Sequence, residues 1–551
     1  MLRGFKVGKH GRRNTKRTGA VERNIPLIGR VIEAAYGEPT IDGRGELAAQ
    51  RLGGSPKAAA YLQQRLPKHM ALLEQQGCHR DAKPACSTCP VRKLCAFWRD
   101  NNADAPKGEK VLDLFCGAGG MSLGFEQAGY VPHMAVDLDL DAILTYRANR
   151  PWATEQSARC GNIVEMLENG EFTKMAGKVS GVIGGPPCQT FSLVGLRTKR
   201  LNDRDGTIAA DQRTWLPVKM AEIIAKVRPE FCVMENVPSF MSALGGKVHE
   251  STRKIIQDAG YSVTEVKIRA ERHGTPQLRT RYVLVGIKNK AVRGKRRAEE
   301  LLRDLAETID AGTQELIPLK TALQPLQVFG VIEAGRGSEY QRSGDKETWN
   351  HYAREHNPRD RGIYAALKPG ETAGELEARA EGSIPYDLSS FHDKYRKLDP
   401  QKPSPTIPAH LSRDANSFVL HEVNRGLTPR EAATIQGFPV DYMFLGEQTH
   451  QFRQVGNAVP PPVAKMVAEL VRSALKQGKS RKWKPTLVAG RGKAPSKQTL
   501  VLRKELMRLK EAGKEPTVAE FLHWAARRLQ TPKVDLRATV YREYRKILRH
   551  G

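Results

Sequence analysis

The stretch VLDLFCGAGGMSLGFEQAGY, residues 111–130, decides the fold. Its apolar start, glycine-rich middle and helix-like end predict a strand, a tight turn and a helix. Gly117, Gly119 and Gly120 allow the backbone to approach a ligand closely, and the helix that follows offers free amide groups to it. The glycine spacing is not the G-x-G-x-x-G of dinucleotide sites.

Short apolar segments continue this pattern along the chain and alternate with helical stretches. Such alternation is typical of a parallel sheet with helices on both faces, so we expect a doubly wound α/β fold. The predicted strands are VLDLF (111–115), HMAVDLD (133–139), GVIGG (181–185), FCVMENV (231–237) and YVLVGI (282–287).

An acid follows the glycine turn at about the distance at which nucleoside sites place one. Asp137 ends the second predicted strand, where its carboxylate can accept hydrogen bonds from both ribose hydroxyls. A carboxylate there disfavours a phosphate on the ribose, and few Lys or Arg residues are near to bind one. The pattern favours a nucleoside without phosphates, and S-adenosylmethionine (SAM) fits.

A cysteine stands in the stiff turn of GVIGGPPCQTFS, residues 181–192. Proline fixes φ and glycine permits close backbone approach, so the turn could hold the Cys188 thiol rigidly at the sheet edge. Cysteine is also among the residue types most often buried in cores. From these residues alone, a positioned thiol and a small core cysteine both remain open.

Seven segments in one order resemble the DNA (cytosine-5) methyltransferase family, from residue 110 to about residue 470. The resemblance implies a SAM-dependent, Rossmann-like fold and methyl transfer to C5 of a flipped-out cytosine in duplex DNA. The segments are DLFCGAGGMSLGFEQAGY, VDLDLDAILTYRANR, GGPPCQTFS, ENVPSF, HGTPQLRTRYVLVGI, LTPREAATIQGFP and QVGNAVPPPVA.

The resemblance implies catalytic roles for four residues. Cys188 is the nucleophile that adds to cytosine C6, and Glu235 of MENVPS is the proton donor at N3. Arg281 of the QLRTR segment contacts the cytosine O2, and Arg279 supports the catalytic loop. Without the family, Glu235 could equally form a structural salt bridge, and the arginines could clamp a phosphate or pair at the sheet edge.

Six residues match the family's SAM contacts, and Phe115 among them could pack on the adenine. They are Phe115, Gly117, Gly119, Asp137, Asn162 and Asn457. Asn162 is a departure, because the family usually has Asp in this turn. Its side-chain carbonyl can still accept a hydrogen bond from the adenine amino group.

Four cysteines, spaced C-x7-C-x2-C-x5-C, indicate a metal site: Cys78, Cys86, Cys89 and Cys95. The loop resembles the [4Fe-4S] loop of the endonuclease III and adenine glycosylase family, and zinc is the alternative metal. Ile25 stands where the glycosylases have their catalytic aspartate. Residues 25–100 are therefore expected to be a non-catalytic DNA-binding module or a stabilising metal knob that makes no DNA contact.

The formal charge is +29 and lies mainly at the ends. Residues 1–24 hold eight Lys/Arg against one Glu, and residues 476–551 hold 21 Lys/Arg against six acids. Basic arms on a nearly balanced middle suggest nucleic acid, although such tails could also only aid solubility. In the tail, Leu502, Leu506 and Leu509 share a predicted helix face, and TVAE (517–520) has a capping-box pattern.

These patterns and the two resemblances imply six regions. They are a basic disordered arm (1–24), a helical iron–sulfur module (25–100), the SAM-binding catalytic domain (110–288), a target-recognition region (289–424), a return to the catalytic domain (425–475) and a basic linker with helices (476–551). No apolar run is long enough to span a membrane, and the start lacks a secretory signal. We expect a cytoplasmic, nucleoid-associated monomer that acts on double-stranded DNA and is functionally paired with a restriction endonuclease. The alternatives are an RNA cytosine methyltransferase and a DNA repair or binding protein.

Overall fold

The computed structural model describes residues 106–187, 212–312, 314–380, 384, 395–412, 417–480, 501–502, 505–506, 508–509, 517–529 and 540. The chain divides into two compact units, Met1–Trp483 and Lys484–Gly551. The predicted nucleophile Cys188 and the predicted metal ligands Cys78, Cys86, Cys89 and Cys95 lie outside the described residues. Within the described ranges, no helix is both long enough and apolar enough to cross a membrane.

A seven-stranded sheet forms the centre of the larger unit. Its strands are β1 (Glu109–Leu114), β2 (Tyr130–Asp137), β3 (Ala158–Cys160), β4 (Gly181–Gly184), β5 (Phe231–Asn236), β6 (Tyr261–Arg269) and β8 (Thr280–Lys288), in the order β3-β2-β1-β4-β5-β8-β6. Strand β7 (Gln277–Leu278) lies outside this sheet. The prediction of an entirely parallel sheet is wrong at one strand, because β8 runs antiparallel to both β5 and β6. The connection from β6 to β8 is too short for the crossover that parallel neighbours need.

Helices cover both faces of this sheet. The α-helices described in the larger unit are α1 (Gly120–Gln127), α2 (Leu140–Ala148), α3 (Ile163–Glu168), α4 (Leu216–Val227), α5 (Lys247–Asp258), α6 (Lys295–Ala311), α7 (Leu319–Leu323), α8 (Pro358–Ala366), α9 (Ala373–Arg379), α10 (Pro429–Ile435), α11 (Gln448–Asn457) and α12 (Pro461–Lys479). Helices α1, α6 and α12 share one core with the sheet, and α3, α4 and α5 share the other. The predicted doubly wound arrangement is therefore present.

The alternation of side chains along each strand creates the two cores. In β1, Val111 faces the first core, whereas Leu112 and Leu114 face the second. In β4, Ile183 and Val182 divide in the same way. Each fully buried aliphatic side chain of this kind stabilises the fold by roughly 1.5–3 kcal/mol. The cores therefore fix the register of the strands whose ends carry the candidate site.

Helix α6 belongs to the core of the sheet, although it lies inside the region 289–424 that we expected to form the target-recognition region. Its residues Leu301, Leu305 and Ile309 are buried against the first core. The rest of that region contains short elements, which include β9 (Gly337–Ser343), β10 (Lys346–Tyr352), β11 (Arg396–Lys397), β12 (Ser404–Pro405), β13 (Phe418–Leu420) and β14 (Arg425–Gly426).

A capping box begins helix α10, in the segment LTPREAATIQGF. Thr428 Oγ1 accepts from the amide of Glu431 at 3.1 Å, and the Glu431 carboxylate accepts from the amide of Thr428 at 2.8 Å. Pro429 occupies the first helical position, where no amide donor is needed. Arg425 also donates two hydrogen bonds of 2.8 Å to Glu431. Buried and fully paired, Glu431 anchors the helix that carries Gln436 at its end.

The smaller unit has a small core of its own. The predicted face with Leu502 and Leu506 is confirmed, since both are buried beside Phe521 and Leu509 packs against them. The predicted capping box is also present, because the amide of Thr517 donates to Glu520 at 2.7 Å and the amide of Glu520 donates to Thr517 Oγ1 at 3.3 Å. The helix it begins is Val518–Leu529.

Candidate active site

The glycine turn between β1 and α1 has one packed glycine and one open glycine. A side chain at Gly119, where φ is 87°, would lie 2.7 Å from atoms of Arg150 and Tyr146. A side chain at Gly117, where φ is 52°, would meet nothing within 4 Å. Phe115 also has a positive φ, 58°, which is uncommon for a residue with a side chain. The turn is therefore fixed on its inner side and leaves a bare backbone surface at Gly117.

Asp137 ends β2 directly beside this turn, as the sequence predicted. Its Oδ2 accepts from the amide of Gly117 at 2.8 Å, and its Oδ1 accepts from the amide of Asp139 at 2.9 Å. Burial raises the pKa of the carboxyl, and these amide hydrogen bonds oppose the rise. Each carboxylate oxygen accepts more than one hydrogen bond, so Asp137 can hold the turn and still accept from a ribose.

An exposed apolar residue next to Asp137 was missed by the sequence analysis. Leu138 is 73% exposed and follows the end of β2 directly. A large apolar side chain so exposed at a strand end suits the flat face of a purine. The signal in the sequence was a leucine between two aspartates at a strand end, where polar residues are usual.

Asn162 caps helix α3. Its Oδ1 accepts from the amide of Val164 at 3.0 Å, and its Nδ2 donates to Glu165 at 2.8 Å. Asparagine and aspartate are equally good at this position, so the departure from the family pattern leaves the cap intact. The Oδ1 atom has a second lone pair that can accept from a ligand.

Asn457 is the exposed last residue of α11, and this helix is tied to the segment after Asp137. Arg453 donates to Asp139 at 2.8 Å, and His450 pairs with Asp141. A side chain on Gly120, the first residue of α1, would lie 2.4 Å from the carbonyl oxygen of Val459. The structure therefore brings the segment around Asn457 against the glycine turn and α11 against the turn after β2.

Glu235 lies at the end of β5, next to the turn that leads to Cys188. Strands β4 and β5 are parallel neighbours, and a side chain on Gly185 would lie 3.2 Å from Glu235 Oε2. Asn236 donates to the carbonyl oxygen of Pro186 at 3.3 Å. Its Oδ1 accepts from the amide of Val237 at 2.8 Å, so Asn236 links the end of β5 to the turn at Pro186. The acid is thus held against the backbone three residues before Cys188.

A buried ion pair joins Glu235 to Arg281. The Nε atom of Arg281 lies 2.9 Å from Oε1 of Glu235, and the side chains are 15% and 11% exposed. Burial raises the pKa of Glu235, while the positive charges of Arg281 and Arg279 act in the opposite direction. The salt bridge that was the alternative to a catalytic role for Glu235 is therefore present. It lies beside the turn that precedes Cys188.

Arg279 has a different environment from Arg281. The strand is interrupted at Arg279, between β7 and β8, and the side chain is 1% exposed. Its guanidinium donates to the carbonyl oxygens of Ile407 at 3.1 Å and Gly456 at 2.8 Å. The side chains of Arg279 and Arg281 therefore contact different elements. The predicted support of the catalytic loop by Arg279 remains a prediction.

The fold and the site together define a Rossmann-like α/β enzyme. A glycine turn is hydrogen-bonded to the acid at the end of β2, and an acid–arginine pair lies at the ends of β5 and β8. Residues 109–473 match the family model described as C-5 cytosine-specific DNA methylase. The chain belongs to this family.

Individual relatives agree with the family match. The chain is 31% identical over 392 residues to the type II methyltransferase M.DdeI of Desulfomicrobium norvegicum, covering 66% of this chain and 88% of that protein. It is 29% identical over 437 residues to the type II methyltransferase M.AgeI of Thalassovita gelatinovora, covering 66% and 100%. A crystal structure described as a DNA modification methyltransferase encoded within an E. coli prophage superposes with a TM-score of 0.51 at 25% identity, covering 67% and 100%.

The predicted activity is confirmed: the chain is a C-5 cytosine DNA methyltransferase. This result favours it over the RNA methyltransferase and the repair protein considered above. The predicted iron–sulfur or zinc site gains no such support. The described residues contain no group of three or more His, Cys, Asp or Glu that could hold a metal ion, and the four cysteines lie outside them.

Proposed function

We propose that the chain transfers a methyl group from SAM to C5 of a flipped-out cytosine in duplex DNA, through a covalent bond between Cys188 and C6. The ion pair of Glu235 with Arg281, held against the turn before Cys188, is the observation that carries the proposal. The curated relatives are type II methyltransferases, so we also propose that the chain protects a recognition sequence against a matching restriction endonuclease.

The residues of the nucleoside pocket fit SAM. The open backbone at Gly117, the carboxylate of Asp137 and the exposed Leu138 offer surfaces for a nucleoside. When bound, SAM supplies an electrophilic methyl group. The residues that would hold it are Phe115, Gly117, Gly119, Asp137, Asn162 and Asn457, with Leu138 added by the structure.

Cys188 makes C5 reactive by adding to C6. The thiolate sulfur forms a bond to C6, and the C5–C6 π electrons form a double bond between C4 and C5. C5 is then the nucleophilic carbon of an enamine. Negative charge also develops at N3 and O2. After C5 has taken the methyl group, its proton passes to a water molecule. The electron pair of that C–H bond restores the C5–C6 double bond, and the sulfur departs as a thiolate with the electrons of the C6–S bond.

Glu235 and Arg281 stabilise the negative charge that this addition creates on the cytosine ring. Burial favours the protonated form of Glu235, so the carboxyl can donate to N3. The guanidinium of Arg281 supplies hydrogen bonds and positive charge at O2, in a pocket where electrostatic interactions are stronger than in water. Arg279 adds a second positive charge near Glu235.

DNA contacts outside the pocket belong to two further regions in this proposal. Residues 289–424, apart from helix α6, read the sequence, because the arginine, glutamine and asparagine side chains there suit base edges. The basic residues of 476–551 neutralise phosphates, which makes binding depend steeply on salt. A monomer suffices for both roles.

We also propose that Cys78, Cys86, Cys89 and Cys95 hold a [4Fe-4S] cluster, with zinc as the alternative. Only the spacing of the four thiols supports this, since such thiolates hold clusters of this kind. Protein purified without oxygen should be brown and contain about four irons per chain. A colourless protein with stoichiometric zinc would establish the alternative.

Methylation-sensitive sequencing tests the proposed function. DNA from cells that express the chain should carry 5-methylcytosine at one recognition sequence, and DNA from cells that express the Glu235→Gln variant should carry far less. Methylation found in transfer RNA but absent from DNA would overturn the proposal.

A further inference from the structure

Three buried side chains form a hydrogen-bonded network beneath Asn457. We call Gln277, Arg279 and Gln436 the Asn457 clamp. Gln277 and Gln436 are fully buried, and Arg279 is 1% exposed. Gln277 lies in β7 and Arg279 lies between β7 and β8, whereas Gln436 is the C-cap residue of helix α10. No role was assigned to Gln436 by the sequence patterns.

The clamp is hydrogen-bonded to the carbonyl groups of Gly456 and Ala458, the two residues next to Asn457. The last carbonyls of a helix lack intrahelical partners, and α11 ends at Asn457. Arg279 Nη2 donates to the carbonyl oxygen of Gly456 at 2.8 Å and to that of Ala458 at 3.2 Å. Gln436 Nε2 donates to the same oxygen of Ala458 at 2.6 Å. The main chain is therefore fixed on both sides of Asn457.

The clamp is itself locked by internal hydrogen bonds. Gln277 Nε2 donates to Gln436 Oε1 at 2.6 Å, and Gln277 Oε1 accepts from Arg279 at 3.3 Å. Gln277 Oε1 also accepts from the amide of Ile407 at 3.0 Å. Every bond is buried, so a lost donor leaves an acceptor that water does not readily satisfy.

Close packing prevents the helix end from sliding to compensate. A side chain on Gly456 would lie 2.4 Å from the backbone nitrogen of Ala409 and 2.5 Å from the carbonyl carbon of Pro408. The end of α11 thus packs directly on the backbone of Pro408 and Ala409. The hydrogen bonds of the clamp restrict the movements of the helix end that this packing still allows. A change in the clamp should therefore move or loosen Asn457 itself.

We propose that Gln436 is a positioning residue for the methyl-donor site, which acts through the main chain that presents Asn457. This proposal rests on the proposed function, in which Asn457 contacts SAM. Gln436 does not touch the reacting atoms. Its loss should weaken donor binding roughly tenfold, the size of one net buried hydrogen bond, and should leave the KM for DNA unchanged.

The test compares Gln436→Met with Gln451→Met in the full chain. Gln451 is also fully buried, donates to the carbonyl oxygen of Gly446 at 3.0 Å and accepts from Tyr352 at 3.3 Å. Both variants lose the two hydrogen bonds made by a buried side-chain amide, so a general structural cost should appear in both. The measurements are the Tm, the Kd of S-adenosylhomocysteine by calorimetry, and the separate KM values for SAM and DNA.

We expect a Kd and a SAM KM about tenfold higher for Gln436→Met and changes below about twofold for Gln451→Met. Equal Kd values for the two variants would overturn the proposal. If Gln436→Met does not fold, Gln436→Glu keeps the size of the side chain, and its carboxylate cannot donate to Ala458. That variant should show the same loss, and an unaltered Kd would overturn the proposal.

An Asn457→Ala variant separates this inference from the proposed donor site. A weakened Kd in Asn457→Ala together with a normal Kd in Gln436→Met would refute the clamp alone. A normal Kd in Asn457→Ala would show that Asn457 is not a donor contact, and the clamp proposal would fall with that assignment.

Discussion

Arg281 Nε lies 2.9 Å from Oε1 of Glu235, and this pair lies at the ends of the neighbouring strands β5 and β8. Two opposite effects act on the Glu235 carboxyl: burial raises its pKa, and the two arginines limit the rise. A carboxyl balanced in this way can donate a proton to a base that acquires negative charge and can take the proton back afterwards.

Glu235→Gln should lower kcat by roughly 10²–10⁴-fold, because an amide cannot transfer a proton to N3. DNA binding should be retained. Glu265→Gln is the matched control, since Glu265 is another partly buried acid, paired with His249 at 3.1 Å. The rate of methyl transfer is measured for both variants under single-turnover conditions. Similar rates for the two variants would remove Glu235 from the catalytic residues.

Arg281→Gln should shift the pH profile as well as lower the rate. Loss of the nearby positive charge raises the pKa of Glu235 further, so its protonated form persists to higher pH. The alkaline limb of kcat/KM should move to higher pH. Arg269→Gln, which removes the more exposed partner of Glu271, should leave the limb in place. A limb that stays fixed or moves to lower pH in Arg281→Gln contradicts the assignment.

Gly117→Ala should weaken donor binding beyond its effect on stability. Gly117 and Gly170 both have positive φ, 52° and 72°, and a side chain at either would meet nothing within 4 Å. Alanine at either position costs about 1–2 kcal/mol of backbone strain. The Kd of S-adenosylhomocysteine should rise at least about tenfold in Gly117→Ala alone. Equal effects of the two variants on this Kd would place the donor elsewhere.

Asp113 should make the stability of the catalytic unit depend on pH. It is fully buried in β1, accepts from Ser122 at 2.5 Å, and burial raises its pKa from 3.8 to about 7. The folded state then binds the proton more tightly than the unfolded state. The stabilisation is complete below about pH 4 and is lost as the pH rises towards about 7.

Urea unfolding at two pH values tests this. The free energy of unfolding of the wild type should lose roughly 2.5 kcal/mol more between about pH 5 and pH 8 than that of Asp113→Asn. The exposed Asp345→Asn should behave like the wild type. Parallel curves for the wild type and Asp113→Asn would show that this carboxyl does not titrate in that range.

Local patterns predicted most of the sheet and the positions of several candidate site residues within it. The glycine turn, Asp137 at the end of β2 and Glu235 at the end of β5 follow from residues close together in sequence. The antiparallel direction of β8 was missed because its neighbour β6 was not predicted. Strand β6 lacks a clear apolar run, so the short connection from β6 to β8 could not be recognised in the sequence.

Contacts between distant residues could not be predicted. Arg279 is hydrogen-bonded to Gly456, which lies 177 positions further along the sequence. Gln277 is hydrogen-bonded to Gln436, which lies 159 positions further along. A periodic pattern carries no information about such partners, because it reports only which face of an element is apolar. Helix α6 was missed for a related reason, since its charged outer face made the region appear polar throughout.

The bond between Cys188 and cytosine C6 is the central claim, and an oligonucleotide with 5-fluorocytosine at the mapped recognition site tests it most directly. Fluorine at C5 cannot leave as a proton does, so the adduct should persist after methyl transfer in the presence of SAM. Mass spectrometry should find the oligonucleotide attached to the peptide with Cys188, and Cys188→Ser should form no adduct while Cys160→Ser still does. Absence of a stable adduct in the active wild type, or its attachment at another residue, would contradict the account.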